Sequence, residues 1–206
     1  MSTAASGELF LDLETKKLSQ EVPGGWNNIR SFGLALAVTW ESETGFRTWF
    51  EDDAHALVGR LSNSLRIVGF NLFRFDYVVL SAYMPQIQSM LRDNTFDLLQ
   101  DIESRLGHRL SLESLVSATL GRHKRGEGTQ AVEWFRRGEV DKVIRYCQED
   151  VALTRDLYYY GRDHGHVYYA DRYSPGTRRS LKVDWPNVHH HSPIKRLLDI
   201  LRPGGR

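Results

Sequence analysis

Asp12, Glu14, Asp76, Tyr146 and Asp150 stand in an order and in local contexts suited to metal-dependent phosphodiester hydrolysis. Asp12 and Glu14 lie in Leu9-Phe10-Leu11-Asp12-Leu13-Glu14, where leucine takes every odd position, the pattern of a strand buried on at least one face. Side chains alternate along a strand, so the two carboxylates point the same way, and neighbouring carboxylates repel unless a cation lies between them. Mg²⁺ or Mn²⁺ is the usual ion for such an all-oxygen site. Taken alone, the pair is explained as well by a strand end whose acids face water.

Asp76 closes Gly69-Phe70-Asn71-Leu72-Phe73-Arg74-Phe75-Asp76, which follows the short apolar run Arg66-Ile67-Val68 and opens a helix. An acid at a helix N-terminus is favoured by the macrodipole, so by itself Asp76 reads as a cap. Tyr146 and Asp150 lie four apart on a helix from about Glu139 to Tyr160, whose buried stripe is Val140, Val143, Ile144, Cys147 and Val151. Asp150 at the margin of that stripe needs a partner, and a metal or the tyrosine hydroxyl would serve.

Together the three segments resemble the DEDDy branch of the ribonuclease-H-like 3′→5′ exonucleases, with a strand Asp-x-Glu, an Asn-x-x-x-Phe-Asp loop and a helical Tyr-x-x-x-Asp. Residues 69–76 look most like the proofreading exonuclease of family B DNA polymerases, and the likeness spans roughly residues 8–160. Arg145 stands where the histidine branch would carry its histidine, so the tyrosine branch fits better. The resemblance implies two Mg²⁺ or Mn²⁺ ions about 3.5–4 Å apart. Asp12 would bridge them, Glu14 and Asp150 would complete the site of the water-activating ion, and Asp76 would hold the second. Tyr146 would orient the attacking water, its hydroxyl being too weak a base at neutral pH to deprotonate it. Asn71 and Phe75 would contact the terminal nucleotide and Leu13 would wedge at the last base step. The substrate would be a frayed or single-stranded 3′ end, DNA favoured, released as nucleoside 5′-monophosphates. Two other readings remain, a module that binds nucleic acid or a partner without turnover, and a ribonuclease D-like exoribonuclease. A polymerase or helicase partner fits a stand-alone exonuclease domain.

The elements that must position these residues follow from the hydropathy pattern. Strands are expected at 8–14, 31–40, 46–50, 66–70 and 95–97, and helices at 53–64, 76–83, 98–106, 111–120, 130–137 and 139–160. That order is the order of an α/β fold, a mixed sheet with helices on its faces. The division is a ribonuclease-H-like domain over residues 1–163 and a C-terminal extension over 164–206, packed on it. The extension reads as a hairpin of His166–Ala170 and Ser180–Trp185 around Ser174-Pro175-Gly176, then a short helix at 194–201.

A chain of 206 residues supports one substantial core, and a net charge of +1 gives no overall field for nucleic acid. Charge is instead local, at Arg122-His123-Lys124-Arg125, Arg136-Arg137 and Arg178-Arg179, with Lys124 the preferred phosphate contact. The polar excursion 16–30 is long enough to be a functional loop, in which Trp26 is expected to pin the loop to the core rather than stack on a base. Asp97 is expected to cap the helix beginning at Leu98, although an acid there can approach the metal site in this superfamily. Cys147, the lone cysteine, is expected as a buried thiol, and His189-His190-His191 as an exposed linker. With no long apolar span and no signal pattern, a soluble cytoplasmic protein without a membrane partner is expected.

Overall fold

The computed structural model describes residues 6–123, 128–171 and 176–186, with Ser6 described by its backbone only. Lys124, His189–His191 and the helix expected at 194–201 therefore lie outside the described residues.

Five strands form one mixed sheet. They are β1 (Ser6–Thr15), β2 (Leu34–Glu41), β3 (Gly45–Phe50), β4 (Ser64–Gly69) and β5 (Thr95–Asp97), in the order β3-β2-β1-β4-β5. β1 is central, antiparallel to β2 and parallel to β4. The antiparallel ladder sets Asp12 beside Val38 and Glu14 beside Leu36, and its register shifts between Glu14 and Thr15, just where the acid pair ends.

Alternation along β1 divides the core. Leu9, Leu11 and Leu13 face one side and pack with α1 (Ala54–Ser62), α2 (Asp76–Leu80) and α3 (Ile87–Leu91). Phe10 faces the other side, with Leu36, Val38 and Val68, beneath α4 (Leu98–Leu106), α5 (Leu112–Leu120), α6 (Gly128–Arg136) and α7 (Val140–His164). Asp12 and Glu14 have the parity of Phe10, so the second layer of helices covers them. The mixed sheet with helices on both faces is the architecture expected. α2 is shorter than expected because the chain breaks into turns at Ser81, and α3 was not foreseen.

α7 continues to His164 rather than ending near Tyr160 and stops at Gly165, whose φ of +70° terminates it as a left-handed C-cap. Within it Gly161 leaves room for Trp185, whose ring carbons would lie 2.3 Å from a Cβ at that position. Trp185 stacks on Tyr158 with an interplanar angle of 9° and donates its indole N–H to Asp101 at 2.8 Å. The hairpin of β6 (His166–Ala170) and β7 (Arg178–Lys182) leads into this segment, and Val167, Leu181, Val183 and Trp185 join the α7-side core. Trp185→Ala is expected to cost about 3–5 kcal/mol, a fall of roughly 10 °C in Tm. Thermal unfolding followed by circular dichroism checks this, and an unchanged Tm would show that the segment after β7 adds nothing to the core.

The excursion between β1 and β2 contains two 3-10 segments, Ser19–Glu21 and Gly25–Ser31. Val22 and Phe32 are buried, Ile29 packs against the α1-side core, and the Lys16 N–H donates to the Gly33 carbonyl at 3.0 Å. Arg136 on α6 clamps the excursion from outside through an ion pair with Glu21.

Candidate active site

Three elements converge on one cleft of about 380 Å³ whose lining includes Asp12 and Glu14 from β1, Asp76 from the start of α2, and Tyr146 and Asp150 from α7. Asp76 is 2 % exposed, Asp150 3 %, Tyr146 4 % and Glu14 8 %, so water solvates these groups poorly. Asp12 is half-buried.

The approach to Asp76 is built by its loop. Gly69 ends β4, and a Cβ there would lie 2.5 Å from Leu72, which tucks under the loop as a fully buried side chain. Asn71 then turns the chain with φ +72°, a left-handed conformation uncommon outside glycine but tolerated by asparagine. Asp97 fixes that turn. Its carboxylate accepts from the backbone N–H of Asn71 at 2.8 Å and of Phe73 at 3.1 Å, besides capping α4 through Leu99 and Gln100. The cap expected of Asp97 is thus present, and the same side chain also braces the loop that carries Asp76. Burial of Asp97 pushes its carboxyl above the usual range, opposed by these backbone hydrogen bonds.

Asp76 is held well above the ordinary carboxyl range, first by burial, then by the charges of Asp12 and Asp97, while backbone hydrogen bonds at Asp76 and Leu13 oppose the shift. Its Oδ1 is buried and has no hydrogen-bond partner among the described residues. A buried carboxylate oxygen left without a donor is costly, and a cation is one of few groups that would satisfy it. Asp12, Glu14 and Cys147 each present a ligand atom within 4.8 Å of the others. The donor set fits a divalent ion. That group holds two carboxylates and the thiol, the carboxylates of Asp76 and Asp150 line the same cleft, and oxygen ligands of this kind suit Mg²⁺ or Mn²⁺. Cys147 is fully buried and its Sγ donates to Asp12 Oδ2 at 3.3 Å; burial, then the charges of Asp12 and Glu14, push the thiol well above its usual range. It acts on the site as a hydrogen-bond donor to Asp12, a role the sequence did not reveal.

The remaining walls are mixed. Leu13, Phe32, Phe70, Phe75, Val132 and Trp26 supply apolar surface, and Thr15, Lys17, Ser19, Gln20 and Thr129 supply polar groups. The Tyr146 ring packs edge-on to Trp134 at 6.0 Å. Of the residues expected at the substrate, Leu13 and Phe75 are in the cleft, while Asn71 is not among those lining it. Its Oδ1 accepts from Arg109 at 2.9 Å, outside the cleft, and Phe70 takes the wall position instead. Trp26 also departs from expectation. It is 67 % exposed and makes ring contacts with Phe32 and Phe75 at its side, while Val22 and Phe32 supply the buried anchors of the loop. Arg122, Arg136, Arg137 and Arg179 each engage an acid of this chain, and Lys17, exposed at the cleft, is a basic residue that the sequence did not single out.

The fold is shared with a known group. The RNase_H_2 family of the RNase_H superfamily matches residues 9–161, and the chain belongs to that superfamily. Among solved structures it is similar to the family B DNA polymerase from the hyperthermophilic archaeon Pyrobaculum calidifontis, with a TM-score of 0.54 and 14 % identity over 75 % of this chain and 24 % of that one. The chain thus matches about a quarter of the polymerase's length, and at this identity the likeness is one of fold. Comparison with curated proteins gives no match. Among the described residues no helix is long and apolar enough to cross a membrane.

Proposed function

We propose that this protein is a metal-dependent 3′→5′ exonuclease of the DEDDy type that removes nucleotides from single-stranded nucleic acid, DNA in preference, as nucleoside 5′-monophosphates. The observation that carries this reading is the gathering of Asp12, Glu14, Asp76, Tyr146 and Asp150 from β1, α2 and α7 around one cleft. Asp12, Glu14, Asp76 and Asp150 would hold Mg²⁺ or Mn²⁺. Bound there, divalent ions would supply polarisation of the scissile phosphate and a water made nucleophilic near neutral pH.

The chain's own residues do the rest. Tyr146 orients the attacking water through its hydroxyl, and an edge contact with Trp134 keeps the ring in place. The water oxygen forms a bond to phosphorus, the bond from phosphorus to the 3′ oxygen of the preceding nucleotide breaks, and that oxygen takes up a proton. The 5′-monophosphate leaves, and the shortened strand keeps a free 3′ hydroxyl. Phe75 packs against the terminal nucleotide, and Leu13, between the two acids on β1, sits at the last base step. A cleft with acids on its floor and apolar walls suits an unstacked strand end, because a paired terminus would keep its last phosphate out of reach.

Incubating the purified protein with 5′-labelled single-stranded DNA or RNA, in Mg²⁺, Mn²⁺ or chelator, tests the reading. Ladders shortening from the 3′ end only with a divalent ion support it, and the polymer degraded faster decides between deoxyribonuclease and exoribonuclease. Binding without ladders would instead favour a non-catalytic module. Tyr146→Phe is expected to slow turnover by about ten- to a hundredfold, the range of a water-orienting group, while leaving cation binding by calorimetry unchanged. A variant as fast as the parent would take Tyr146 out of the mechanism.

A further inference from the structure

Trp26 is the most exposed large apolar side chain among the described residues, yet it stands at the cleft that holds the acids. Exposed indole surface of this size is unfavourable in water unless something covers it. Loop anchoring does not account for its exposure, because Val22 and Phe32 are buried on either side of it in sequence and Ile29 packs against the α1-side core. Its placement is built. Gly24 and Gly25 have φ of +89° and +53°, and together they turn the chain into the 3-10 segment Gly25–Ser31, in whose first turn Trp26 stands. The ring meets Phe32 edge-on at 5.6 Å and lies tilted to Phe75 at 6.3 Å. The two rings lie too close for a base to slide between Trp26 and Phe75, and most of the Trp26 surface stays open to a ligand.

Resting on the proposed exonuclease reading, we infer that Trp26 is the stacking platform for the nucleobase at the 3′ end, with Phe32 and Phe75 fixing its angle. An aromatic wall beside a floor of carboxylates matches a nucleotide in both parts, a planar base on the ring and the phosphate toward the acids. Every base has a π-face, so the platform recognises that a base is present more than which base it is.

The test uses the full chain in chelator, where no strand is cut, and reads the Kd of a labelled single-stranded 12-mer by fluorescence anisotropy. Trp26→Ala is expected to weaken binding by about tenfold, Trp26→Phe by no more than about threefold, and neither to move Tm, since the ring contributes little to the core. A 12-mer ending in an abasic nucleotide is expected to bind the parent about tenfold more weakly and to make parent and Trp26→Ala equal. Loss of the same size on normal and abasic ends, no loss at all, or a lowered Tm for Trp26→Ala would each overturn the platform. A parent that binds and cuts strands while Trp26→Ala matches it removes the platform alone. A parent that binds no strand in chelator and forms no ladder with Mg²⁺ or Mn²⁺ removes the exonuclease reading with it.

Discussion

Asp12→Ala is expected to slow strand cleavage by about a thousandfold or more while the protein stays folded. A thousandfold corresponds to about 4 kcal/mol of transition-state stabilisation, the scale of one side chain that positions a catalytic cation. Asp12 is the acid on which the site's electrostatics turn. It accepts the thiol of Cys147, and its charge ranks second only to burial in raising Asp76. Removing it relieves repulsion between buried acids, so the cation-free variant should unfold at the parental temperature or slightly above it. Gel assays of ladder formation, paired with thermal scans in chelator, measure both quantities. Near-normal cleavage by a clean preparation would end the assignment of metal ligands, whereas a lost activity with a collapsed Tm would only report misfolding.

Asp76 yields the second large effect, in stability against pH. Its folded pKa lies above the ordinary carboxyl value of about 3.9 because burial, then Asp12, then Asp97, disfavour its charge. Between those two values the folded chain holds a proton that the unfolded chain has released. Stability of the cation-free protein therefore falls as pH rises from about 4 through the raised value, and the full penalty remains above it. Asp76→Asn carries no such proton and should show a flatter Tm across that window and a higher Tm at neutral pH. In the parent a divalent ion is expected to replace the proton; at a concentration about a hundred times its Kd it would add about 2.7 kcal/mol, or roughly 5–10 °C. In the variant that gain should shrink and cleavage should drop severely. Calorimetric scans from pH 4 to 8 with chelator, Mg²⁺ or Mn²⁺ would expose a parent indifferent to both pH and cation, which would contradict this account.

How far these features were legible in the sequence depended on the distance over which the deciding interaction acts. The alternation of Leu9, Leu11 and Leu13 against Phe10, Asp12 and Glu14 is a property of the strand itself, and the structure splits the core along it. The 3.6-residue stripe through Val143, Cys147 and Val151 likewise carried Tyr146 and Asp150 to one face of α7. Asn71 was misplaced because its partner, Arg109, lies 38 residues away and nothing local signals their hydrogen bond. The outward set of Trp26 goes with burial of Val22 and Phe32 on either side of it, a choice that its residue type alone does not signal. α7 overran its expected end because Gly161, ordinarily a helix weakener, is tolerated there by the ring of Trp185. Cys147 fitted its stripe, but its bond to Asp12 joins residues 135 apart and belongs to tertiary structure alone.

The central position of β1 separates two kinds of motion. Backbone amides around Asp12, hydrogen-bonded into β2 on one side and close to β4 on the other, should exchange with deuterium only when the whole molecule opens. Amides of the 3-10 segments between β1 and β2, which no sheet neighbour protects, should exchange through smaller local openings. The rim of the cleft can thus breathe many times while the acidic floor stays rigid, so that under the proposed function repeated engagement and release of a strand end would leave the reaction geometry undisturbed.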